Sequence, residues 1–184
     1  MRRFNSGELP EHVVGTMFLR LEAVKQAWVR SSAPSTGIDR AGRRFFKRAG
    51  GPDFQGVLVG GRAIVLDVKS TRQKTWTWPE SAGRRAGTKA RQVSDLSMAG
   101  NLGALAGLVI FFMAETPFDV VWVPWKGIDK VLHGTFTPDK LMATGPCVMW
   151  KWPGMTERAF ITGIRELDQA LTYHAMEVCD PVPS

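Results

Sequence analysis

A chain of 184 residues with 44% hydrophobic and 22% charged residues can bury one real core, and is rather short for two domains. Its formal net charge of +7 predicts affinity for polyanions, either nucleic acid or an anionic membrane surface. The longest apolar run, Leu102 to Ala114, is broken by Gly103 and Gly107 and is too short to span a bilayer, and no hydrophobic signal region follows the basic start. Cys147 and Cys179 are too few for a disulfide framework and lack metal-ligand spacing. These features together predict a soluble, cytoplasmic protein with no membrane partner.

Val13, Val14, Met17, Phe18, Leu21 and Val24 recur at helical spacing and predict a first helix from about Pro10 to Gln26. A short strand, Ala27 to Arg30, should follow. Ser31 to Gly51 reads as a long loop carrying Arg40, Arg43, Arg44, Lys47 and Arg48, with Phe45 and Phe46 inside the basic run. A hairpin comes next, Phe54 to Val59 and Arg62 to Lys69, turned at Gly60-Gly61. A polar stretch from 70 to 90 contains Trp76 and Trp78, which suit a core or a subunit interface. A second helix over Arg91 to Leu105, strands at Leu108–Met113 and Val120–Val123, and a helical turn at Ile128–Leu132 complete the readable part. The stretch from Thr135 to Gly154 takes no assignment. A closing helix over Glu157–Glu177 ends the chain. The order predicts one α/β domain over residues 1–184, with a mixed central sheet flanked by helices.

The chemistry-bearing pattern is Pro52-Asp53, thirteen residues, then Asp67-Val68-Lys69. Positions 67 and 69 share a sheet face, and a hairpin brings the start of its first strand beside the end of its second. Two carboxylates on one face form a hard oxygen site suited to Mg²⁺, with Mn²⁺ able to substitute, and a nearby lysine can orient a water or stabilise the phosphate. Such a site can position a water, lower its pKa and offset charge on a phosphate. The competing reading is a solvated pair, Asp67 with Lys69, on an exposed strand. Against it, Ala63 to Val68 is apolar on both faces apart from Asp67, as in a strand covered on both sides. A charge there is costly without a partner or a metal.

These residues resemble the signature of the PD-(D/E)xK nucleases. More of the chain is similar to one branch, the Holliday junction resolvases of the RecU and archaeal Hjc type. Gly7 and Glu11 have the spacing of a glycine and a metal-binding glutamate on that family's first helix. Val29 to Pro34, Asp67 to Arg72, Gln92, and Val123-Pro124-Trp125 with Ile128 also resemble family segments. The likeness covers roughly residues 5 to 132. It implies a restriction-endonuclease-like fold, metal ligands Asp53, Asp67 and Glu11, and a catalytic set completed by Lys69 and Gln92. It further implies a homodimer acting on four-way DNA junctions with paired nicks. Residues 37–50 would form a protruding basic stalk. Arg30, Arg40, Arg43, Arg44, Phe45, Phe46, Lys47, Arg48, Arg72 and Lys74 would contact DNA. Residues 133–184 are a C-terminal elaboration without a reading.

The chain departs from the family in two places. Asp67 stands where glutamate is usual, and Gly50-Gly51-Pro52 replaces threonines. Glu11 also suits the first turn of a helix for dipole reasons alone, and Gln92 alone reads as a surface helix residue. A restriction-like endonuclease and a non-catalytic branched-DNA-binding protein are the alternatives.

Overall fold

The computed structural model describes residues 8–32, 36–38, 44–46, 51–78, 84–132, 134–145, 147–152 and 169. Helix α1 spans Glu8–Ala23 and leads into strand β1, Ala27–Ser31. A short antiparallel ribbon follows, β2 (Thr36–Ile38) against β3 (Arg44–Phe46). Then come β4 (Phe54–Leu58), β5 (Ala63–Thr71) and β6 (Trp76–Thr77). Helix α2 (Arg84–Asn101) connects to β7 (Leu105–Phe112) and β8 (Phe118–Pro124). The described remainder is α3 (Trp125–Val131), β9 (Thr135–Phe136), α4 (Pro138–Met142) and β10 (Val148–Trp152).

The central sheet has the order β1-β4-β5-β7-β8-β10. It is mixed, because β5 and β7 run parallel while every other neighbouring pair is antiparallel. A parallel pair needs a crossover, and α2 supplies it. All eight residues of β7 are buried, so this strand is covered on both faces. Its alternate residues divide between two cores. Leu105, Val109 and Phe111 join Val13, Val14, Met17 and Phe18 of α1, together with Ile64, Leu66 and Val68 of β5. Ala106, Leu108, Ile110 and Phe112 meet Leu96 of α2, Ile128 and Val131 of α3, and Trp76 and Trp78. The two tryptophans pack edge to face with centroids 5.6 Å apart, which settles them as core residues. No described helix is long and apolar enough to cross a membrane.

Several boundaries differ from the sequence expectation, each for a local reason. The first helix stops at Ala23, because Lys25 takes a left-handed φ of 59° and the Gln26 amide turns back to the Leu21 carbonyl at 2.8 Å. The second helix begins earlier than expected and stops at Asn101. Gly103, at φ 87°, donates to Gly100 O and Ala104 donates to Ala99 O, a pairing that closes the helix end. Leu102, just past the helix end, is 82% exposed. The expected loop at 31–51 contains the β2–β3 ribbon. The unassigned 135–154 stretch holds β9, α4 and β10. The closing helix expected at 157–177 lies outside the described residues, apart from Gln169.

Gly107 marks where β7 and β8 approach most closely. A Cβ there would stand 2.3 Å from the Val123 carbonyl oxygen and 2.8 Å from Trp122 Cη2. Backbone cannot swing aside as a side-chain tip does. Gly107→Ala should cost roughly 1–3 kcal/mol, read as a lowered urea midpoint at unchanged slope.

Candidate active site

The hairpin places its acids as its register requires. Phe54 pairs with Leu66, so one step further sets Asp53 opposite Asp67. Both lie on the β5 face that also carries Val65 and Lys69, the side crossed by α2. Asp53 is tied down at two points. Its carbonyl accepts from the Ser32 amide at 2.7 Å, and its carboxylate Oδ2 accepts from the Val68 amide at 2.7 Å. The side chain thus takes the place of a ladder acceptor just before β4 begins, which fixes its rotamer.

Asp67 is the one charged residue among the buried ones described, with no exposure at all. Gln92, midway along α2, donates from Nε2 to Asp67 Oδ1 at 3.1 Å. Oδ2 lies against the Lys69 ammonium in an ion pair and otherwise has no hydrogen-bond partner. Lys69 keeps 23% of its side chain exposed, so the group opens to solvent on its side. Burial drives the Asp67 carboxyl from an ordinary 3.8 up to about 7; the Lys69 charge pulls it down and the Asp53 charge pushes it further up.

The structure thus brings four of the sequence-nominated residues together: Asp53, Asp67, Lys69 and Gln92. Glu11 is not brought to them: α1 covers the opposite face of the sheet. It is exposed on α1 and lines a cavity of about 570 Å³ with Ser31 and Phe54, each next to a residue that anchors or carries the site. Among the described residues no three His, Cys, Asp or Glu side chains form a metal-holding group. The donor set on hand is therefore the two carboxylates. That set suits a hard cation, because Mg²⁺ is commonly held by one or two carboxylates with waters and substrate phosphate completing the shell.

Arg72 is exposed just past the end of β5, and Lys74 pairs with Glu115 at 2.5 Å on the open surface. Each partner favours the other's charged form, so the Lys74 pKa is raised and the Glu115 pKa lowered. Arg30 lies on β1, paired with Glu22 and set over Trp28. Arg44, Phe45 and Phe46 form β3, while Arg40, Arg43, Lys47 and Arg48 lie outside the described residues. Trp28 escaped the sequence reading. Its signal was the alternation Ala27-Trp28-Val29-Arg30, which points a tryptophan outward.

No protein-family model matches this chain, and no curated protein matches it.

Proposed function

We propose that this chain is a divalent-metal-dependent endodeoxyribonuclease of the PD-(D/E)xK kind, acting as a Holliday junction resolvase. The observation that carries the reading is a fully buried Asp67 facing Asp53, with Lys69 against one oxygen and Gln92 holding the other. A buried carboxylate with a raised pKa, beside a second acid and a lysine, is a functional-site pattern more than a stabilising one. The mixed sheet with its acids on a hairpin, and a crossover helix reaching over them, supports a restriction-endonuclease-like fold.

Asp53 and Asp67 would hold Mg²⁺ or Mn²⁺. When bound, the ion supplies a more acidic water and charge compensation at the phosphate. The chain's own residues do the rest. The Val68 amide and Gln92 fix the two carboxylates, so little reorganisation is needed on binding. Lys69 can orient the attacking water or meet negative charge growing on the phosphate oxygens. Glu11 is nominated as a further oxygen ligand by its family spacing alone. The net charge of +7 and the basic run through Arg40–Arg48 suit a polyanion bound with strong salt dependence. A homodimer would give two sites related by a two-fold axis, as paired nicks across a junction require.

The test is a labelled four-way junction incubated with the full chain. Paired nicks are expected with Mg²⁺ and none with chelator, while linear duplex of the same sequence is cut far more slowly. Equal rates on junction and duplex would reassign the chain as a general endonuclease. Tight junction binding without any cutting would leave a non-catalytic DNA-binding protein.

A further inference from the structure

β1 and β4 present a strip of sheet on the active-site side that remains open to solvent. Trp28 is 57% exposed and Val57 41% exposed, and Gln55 and Ala63 are exposed beside them. The register sets Trp28 next to Val57, Val57 next to Ala63, and Gln55 next to Val65. Alternate residues of a strand share a face, so this strip runs directly into Asp53 and Asp67. A groove of about 380 Å³ lies along it, lined among others by Trp28, Arg30, Gln55 and Val65.

Trp28 is held in place. The Arg30 guanidinium sits 5.0 Å from its ring centroid, and Glu22 grips that guanidinium with both oxygens at 2.6 Å. The indole is therefore oriented before anything binds, which lowers the entropy lost on binding.

On the nuclease reading above, we propose that Trp28 is a stacking platform for an unpaired base of the bound strand, about two nucleotides away from the scissile phosphate. Aromatic side chains beside a backbone-tracking basic surface hold single strands by stacking, whatever the base. Arg30 and Gln55 stand between the apolar positions of the strip and offer donors and an acceptor to a base edge. A face built for a second copy of the chain would have a more continuous apolar centre. The Trp28–Val57 pair lies four residues, about 13 Å, along β4 from the Asp53–Asp67 pair, so nucleotides about two apart can occupy the platform and the site together. A base stacked on Trp28 must leave its own helix, so strand opening at the cut becomes part of the substrate.

The test uses the full chain in chelator at one fixed salt concentration. A single-stranded oligonucleotide carrying 2-aminopurine is titrated and followed by fluorescence, and a duplex of the same sequence is titrated in parallel. Trp28→Ala should weaken single-strand binding about tenfold, while Trp28→Phe keeps most of it and duplex affinity barely moves. Unchanged single-strand affinity in Trp28→Ala would overturn the proposal. So would a loss accompanied by a shift from dimer to monomer in sedimentation, which would give the face to a second copy. Because no divalent ion is present, failure of the nuclease reading shows separately, as absent Mg²⁺-dependent cutting by the wild-type chain.

Discussion

Asp67→Asn should sharply slow the proposed cleavage and, at pH 8, leave the fold more stable than the wild type. The Asp67 carboxyl titrates near 7 in the folded chain against an ordinary 3.8. Below about pH 4 both folded and unfolded chains hold this proton. Between about 4 and 7 the folded chain keeps it while the unfolded chain releases it. Stability from this group is therefore present at low pH and lost as pH rises through that window. Three pH units at about 1.36 kcal/mol each set an upper bound of roughly 4 kcal/mol. Asparagine removes the titration and still offers Oδ1 to Gln92, although its amide then meets Lys69. A gain of about 1–3 kcal/mol at pH 8 is the expected balance. Urea denaturation at pH 5 and pH 8 checks it: the wild type should weaken between them and the variant should not. Added Mg²⁺ should stabilise the wild type alone, by mass action on the folded state. Cleavage by the variant should fall on the order of a thousandfold. A variant less stable than wild type at pH 8 would mean that Asp67 serves the fold as half of a structural ion pair.

Lys69→Ala is expected to produce the second large effect, in two separable parts. The first is a rate loss of about 10²–10³-fold in the proposed cleavage, from losing the charge that would face the phosphate. The second is a displaced pH profile. Lys69 is the main influence that lowers the Asp67 pKa, so its removal sends that carboxyl further above 7. Activity that needs ionised Asp67 should then begin at a higher pH, with the acidic limb of the profile moved to the alkaline side. Lys69→Arg keeps the charge and should keep the limb near its original place, even where the geometry costs rate. An Ala variant with normal rate and an unmoved limb would remove Lys69 from the site.

Much of this arrangement was legible in the residues because it is local. The apolar run from Ala63 to Val68 identified a central strand, which is buried on both faces from Leu66 to Val68 but exposed at Ala63, and the Gly60-Gly61 turn identified its partner. The opposition of Asp53 and Asp67 then followed from strand pairing alone. The contact from Gln92 to Asp67 was not legible in this way. It depends on how α2 lies across β5 and β7, a tertiary fact, and it entered through resemblance only. Helix ends were misplaced where one backbone conformation decided them, at Lys25 and Gly103. Strands β9 and β10 were missed because their segment is punctuated by proline and glycine, and their pairing partners lie far away in the chain. Trp28 was missed for another reason. A five-residue edge strand with alternating burial gives too short a pattern to separate an outward tryptophan from a buried one.

The hairpin turn has a reach beyond its own residues. Gly60 and Gly61 adopt φ values of 86° and 83°, which ordinary side chains resist, and they lock the pairing of β4 with β5. A slip of one residue would turn Val68 toward Asp53 and send Asp67 to the opposite face, into the apolar core under α1. The opposition of the two acids is thus set at the far tip of the hairpin, by two residues that touch neither of them.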